Sequence, residues 1–173
     1  MKLFLKAKDW QLCILALAGT VVGIMVMDES KSSPILTILA SVFGALFALW
    51  LWTLGAELNK RVDEKTRMGR AFFKFASVFP FVFSVAYAVL LKDLMTPDSH
   101  RWFVDLVNKL AYVVFFCLFY EVWFIAKNLV MAERQMPVVV MDYLGLIFSL
   151  AFLPIGVWSF QPRVNRLFDG KQV

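Results

Sequence analysis

Three ionisable side chains stand inside apolar stretches of this 173-residue chain: Lys74, Glu121 and Asp142. A charge near the middle of a bilayer costs at least ~2.5 kcal/mol, so such groups pair, reach water or handle protons and ions. Counting helical rise, Lys74 lies roughly 6 Å in from Arg70, Glu121 roughly 9 Å in from Lys127 and Asp142 roughly 7 Å in from Pro137. One base and two acids on three helices are therefore expected at similar depth. The expectation is a Lys74–Glu121 contact with Asp142 close by or lining an aqueous vestibule. The alternatives are a snorkelling Lys74 with acids that reach headgroup water, a structural ion pair, or a transport layer.

Other chemistry has little to work with. His100 is the only histidine, and Cys13 and Cys117 each sit in an apolar block without a CxxC-type neighbour. That pattern indicates neither a metal site nor a disulfide framework. The chain has no P-loop, GxSxG, HExxH or DxD pattern. The MDY around Asp142 lacks the second aspartate that an intramembrane protease would use. The reading is a non-enzyme without metal or cofactor.

The elements that must position these residues follow from hydropathy. Hydrophobic residues make up 61% of the chain and charged residues 18%, with a mean hydropathy of +0.71. A soluble domain carries about 25% charged residues. Here the apolar residues come in blocks of about 20, the length that crosses a hydrocarbon core as a helix. This predicts an all-α, polytopic transmembrane bundle in one domain, with spans near 10–27, 34–55, 71–91, 105–127 and 138–160. The basic, apolar start resembles a secretory signal, but its apolar run continues to Met27 and reads as an uncleaved first span. Pro154 and Gly156 interrupt the last block, which predicts a Pro-kinked fifth span. The four-span alternative makes that block a re-entrant hairpin with the tail in the cytoplasm.

Lys and Arg near the span ends set orientation. Nine lie on one side (Lys2, Lys6, Lys8, Lys60, Arg61, Lys65, Arg67, Arg70, Arg134) and six on the other (Lys31, Lys92, Arg101, Arg163, Arg166, Lys171). The richer side is expected in the cytoplasm, which puts the N-terminus inside a bacterial inner membrane and, with five spans, the C-terminus outside. The net charge of +5 is explained by these topology determinants and contacts with anionic headgroups, not by nucleic acid. Trp10, Trp50, Trp52, Trp102, Trp158 and Tyr143 are expected in an aromatic belt at headgroup depth.

Small residues at helical spacing, Ala40, Gly44 and Ala48, with Gly19 and Gly23 in the first block, make smooth faces. Such faces pack helices within one chain or between copies of it. The connector from Gly55 to Arg70 carries Lys60, Arg61, Lys65, Arg67 and Arg70 among acidic residues. It reads as a solvated helical extension or turn, or as a docking surface for a soluble cytoplasmic partner.

The stretch AFLPIGVWSFQPRVNRLF, with LWTLGAELNK and FIAKNL upstream, resembles small uncharacterised multi-pass bacterial membrane proteins that end in a PIGxWxxQPRxN pattern. In that likeness Pro154 and Gly156 bend the last helix, and Gln161, Pro162, Arg163 and Asn165 form a polar cap. In size and pass number the chain also resembles the membrane subunit of the Kiwa antiphage system. That likeness implies an oligomeric membrane sensor working with a soluble partner. The expected function is a non-enzymatic membrane scaffold or sensor-effector subunit, and the alternative is a small channel or transporter subunit using the Lys74/Glu121/Asp142 layer.

Overall fold

The computed structural model describes residues 11–14, 17–19, 21–22, 33–87, 100–151 and 153–168. Every regular element among the described residues is a helix. Helix α1 spans Pro34–Arg61, α2 Ala71–Ala86, α3 Arg101–Arg134, α4 Val140–Ala151 and α5 Leu153–Phe168. The described parts of the first apolar block are helical as well, with Leu12 in the core and Gly19 against Phe43 of α1. Gly23 lies outside the described residues.

Local chemistry fixes the helix ends. The Ser33 hydroxyl accepts from the Leu36 N–H at 3.3 Å and Pro34 opens α1, where its missing N–H costs nothing. At its far end α1 stops when Val62 turns extended. Helix α3 ends with Gln135 in the left-handed region (φ 52°), its N–H bonding back to the Met131 carbonyl.

Among the described residues two helices are long and apolar enough to cross a membrane: residues 38–61 of α1, and α3. Helices α2 and α4 are apolar but shorter. The outward faces of α2 and α3 are apolar too: Val82 of α2 is 55% exposed, and Tyr112 and Phe115 of α3 are 76% and 72% exposed.

The fifth block differs from its expected kinked span. It is two helices, and the second returns beside the first. At the start of α5, a β-carbon on Gly156 would lie 1.5 Å from the Ser149 carbonyl oxygen of α4, so only glycine permits that approach. Pro154 falls in the first turn of α5, where a proline needs no intrahelical partner, so it opens a new helix and does not kink an old one. Helix α4, at 12 residues, reaches only about 18 Å, short of a ~30 Å hydrocarbon core.

Both ends of the hairpin lie at the end of the bundle where α1 and α3 terminate. Arg163 of α5 pairs with Glu133 of α3, with Nε 2.9 Å from the carboxylate. Arg134 pairs with Asp142 at 2.7 Å. Arg61 donates to the Leu167 carbonyl and covers the Phe168 ring at 4.0 Å. The expectation that the C-terminal end emerges opposite the 55–70 connector is thereby corrected.

Candidate functional site

Helices α1, α2 and α3 line a half-open cavity of about 350 Å³. Its α1 wall is the small-residue face of Ala40, Ser41, Gly44 and Ala48. Its α2 wall carries Ser77, Pro80 and Ser84, and α3 supplies Val114, Leu118 and Glu121. The small face therefore borders open space instead of a packed neighbour. A β-carbon on Gly44 would meet nothing within 4 Å.

The three helices run alternately up and down, which orders the lining by depth. Leu51, Ser77 and Glu121 lie at the end nearer the polar connector, and Ala40, Val85 and Val114 at the other. Ala40 to Leu51 covers about 16 Å of helix axis. Glu121 is only 2% exposed and one of its carboxylate oxygens has no partner. The Ser77 hydroxyl lies beside its carboxylate and donates its single proton to the Phe73 carbonyl at 3.0 Å. The floor thus combines a buried acid, a hydroxyl and one unused acceptor, and the walls above are mostly apolar. A cation or strong hydrogen-bond donor satisfies such a group.

Below the floor the bundle is closed. The Phe73 ring stacks on Phe124 at 4.4 Å between centroids and lies 5.9 Å from Trp52. It fits there because position 55 is glycine; a β-carbon at Gly55 would stand 2.2 Å from Phe73 Cζ. One turn further, Asn59 Nδ2 donates to Asn128 Oδ1 at 3.0 Å and to the Met68 carbonyl at 3.1 Å. Asn128 Nδ2 donates to the Phe124 carbonyl at 2.7 Å. Gln135 Nε2 then bridges the C-terminal carbonyls of two helices, Arg61 O at 3.0 Å and Ala132 O at 2.7 Å. This satisfies acceptors that helix ends leave open.

The structure does not assemble the expected charge layer. Lys74 is exposed and makes no ion pair among the described residues. Glu121 meets Ser77 in its place. Asp142 lies at the level of Arg134, on the order of 20 Å further along α3 than Glu121. Its carboxylate accepts from the Val139 N–H at 3.0 Å and from Arg134, which together hold it below the usual carboxylate range.

The basic connector divides in two. Arg61 and Arg67 are used internally, Arg67 donating to the Lys60 and Val62 carbonyls at 3.1 Å. Lys60 pairs with Glu57 at 2.6 Å, while Lys65 and Arg70 are exposed. Trp50 and Tyr143 are buried and Trp52 packs on Phe73, so these three leave the expected belt, whereas Trp102 and Trp158 face outward. The C-terminal polar cap also changes character: Gln161 is buried, its Nε2 donating to Asn165 Oδ1 at 3.1 Å. Among the described residues no cluster of three metal-ligating side chains exists.

Sequence reasoning missed Gly55, Asn59, Ser77, Asn128 and Gln135. A usable signal was present for the asparagines: each stands beside a leucine near the C-terminal end of a long helix, where a buried polar side chain needs a partner. No family model, no curated protein and no solved structure matches the chain.

Proposed function

We propose that the chain is a non-enzymatic, multi-pass membrane subunit that senses an event at the half-open cavity between α1, α2 and α3 and presents its basic end to a soluble cytoplasmic partner. The observation that carries this reading is the dead-end cavity: an acid at its floor, an aromatic plug beneath, and a hydrogen-bonded lattice leading to the exposed connector. A blind cavity suits recognition, whereas conduction needs a through path.

The membrane setting is supported by the two long apolar helices and by the apolar residues exposed around the bundle. A soluble protein rarely exposes contiguous patches of that kind. Orientation gains support from the hairpin. Returning Arg163 and Arg166 to the connector side changes the basic count from nine against six to eleven against three, with Lys171, outside the described residues, left uncounted. The positive-inside rule then puts the connector and residues 153–168 in the cytoplasm with a wider margin. The likeness to the Kiwa membrane subunit would make the partner a component of antiphage defence, and a co-transcribed soluble protein is the candidate.

The test is co-purification in mild detergent. The full chain should extract from membranes with that partner and as an oligomer. Reversing the two exposed charges (Lys65→Glu with Arg70→Glu) should release the partner without changing the oligomer. A monomer that retains no partner would overturn the scaffold reading. Proteoliposome ion flux that falls with Glu121→Gln would favour the channel alternative.

A further inference from the structure

We infer that the cavity between α1, α2 and α3 is a binding site for a single-chain amphiphile with a protonated amine head, its ammonium on Glu121 and its alkyl chain along the small-residue face of α1. The inference rests on the membrane reading above and adds the ligand class.

The head group follows from the floor. Glu121 is 2% exposed, lines the cavity and keeps one oxygen without a partner. Buried acceptors of this kind are satisfied in nearly all native sites. An ammonium supplies three donors and the compensating charge, so the free oxygen and the Ser77 hydroxyl can both be used. An anionic head would meet the carboxylate unfavourably. A calcium or magnesium ion would need six or more oxygen ligands, and only one carboxylate, with no histidine or cysteine, lines the cavity.

The tail follows from the walls. Ala40, Gly44, Ala48, Leu51, Val114 and Leu118 form a mostly apolar slot about 16 Å long. A volume of about 350 Å³ lies at the small end of the usual range for ligand pockets. Because Phe73 and Phe124 close the floor beneath Glu121, the amine goes to the bottom and the chain extends away from the basic end.

The test is native mass spectrometry of the full chain released from membranes in mild detergent and titrated with dodecylamine. Wild type should take one amine adduct at saturation. Glu121→Gln, which keeps the side-chain shape, should weaken binding at least tenfold. Gly44→Leu should abolish the adduct by filling the slot while leaving the acid intact. Dodecanol should bind wild type and Glu121→Gln alike and weakly, and dodecanoate should not bind. Unchanged melting temperatures in detergent show that both variants fold. Equal adducts on wild type and Glu121→Gln, or dodecanoate bound as well as the amine, would overturn the inference. A membrane-extracted dimer without any amine adduct would also overturn it and point to a second copy over the slot. Recovery of the chain in the soluble fraction would instead bring down the membrane reading itself.

Discussion

Gly55→Ala is expected to destabilise the bundle, against the usual effect of that substitution. In a helix interior alanine is ordinarily favoured over glycine by about 0.5–1 kcal/mol. Here the new methyl would lie 2.2 Å from Phe73 Cζ, 2.7 Å from Cε2 and 3.0 Å from Cε1. Such contacts cost little when a flexible side chain can swing away. Phe73 cannot, because it is 1% exposed and held between Phe124 and Trp52. Overpacking of this kind costs about 1–3 kcal/mol. Set against the helix-propensity gain, the net loss centres on about 1 kcal/mol and reaches at most about 2.5 kcal/mol. Gly44→Ala on the same helix is the control, since its β-carbon meets nothing within 4 Å and should add up to ~1 kcal/mol. Unfolding both variants in mixed micelles and extrapolating to zero denaturant gives the comparison. Phe73→Leu shortens the blocking side chain and should recover part of the Gly55→Ala loss in the double variant. Equal stabilisation by the two alanines, or no recovery with Phe73→Leu, would refute the claim that Phe73 occupies the space left by Gly55.

Gly156→Ala should open the α4–α5 hairpin, because the collision is with backbone at Ser149 and no rotamer relieves it; a cysteine pair across the two helices that still forms a disulfide would contradict this. Asn59→Leu should cost about 1–3 kcal/mol by leaving Asn128 and the Met68 carbonyl short of a donor, whereas the double change with Asn128→Leu should cost less than the sum. Arg163→Glu should loosen α5 from α3, and adding Glu133→Arg should restore it, as read by protease cleavage near residue 165. Asp142 is held below its ordinary value by the Val139 N–H and by Arg134, so its contribution is present above the unfolded carboxylate range and is lost as pH falls through the folded value. Acid unfolding should therefore begin at higher pH for wild type than for an Asp142→Asn variant measured against its own neutral-pH stability; identical acid limbs would contradict the assignment.

Hydropathy made the helices legible but not their ends. The apolar blocks stop near Gly55 and Lys127, while α1 and α3 continue to Arg61 and Arg134, through residues that pair with other elements. Depth counted from the apolar edge therefore placed Asp142 beside Glu121, although the two are at different levels. The break before Pro154 was readable from the proline, but the reversal was not. A proline and a glycine mark where a helix ends, and the direction afterwards is set by the pairing of Arg163 with Glu133 and by the room at Gly156. The small-residue face on α1 was readable as a surface. Its use was not, because whether such a face packs or borders space depends on what α2 and α3 present, here Pro80, Ser84 and Val114.

Among the described residues the contacts give the bundle a tight end and a looser one, and the membrane setting proposed above would make that asymmetry consequential. In lipid, helices gain little from burying apolar surface against one another, so packing and hydrogen bonds must hold them together. Both kinds of contact are concentrated near the connector: the Phe73 ring over Gly55, the Asn59–Asn128 pair, and the Gln135 bridge between the ends of α1 and α3. Around Gly44 the same helices leave a cavity, with Ser84 bonding back to the Pro80 carbonyl of its own helix at 2.8 Å and not across to a neighbour. Because Ser77 lies one turn above Phe73 on α2, a displacement of α2 at the cavity floor bears directly on the plug. The connector runs on into that same helix, and its Met68 carbonyl is clasped by Asn59. Close contact below Ser77 and open space above it make α2 the helix through which the pocket floor meets the connector.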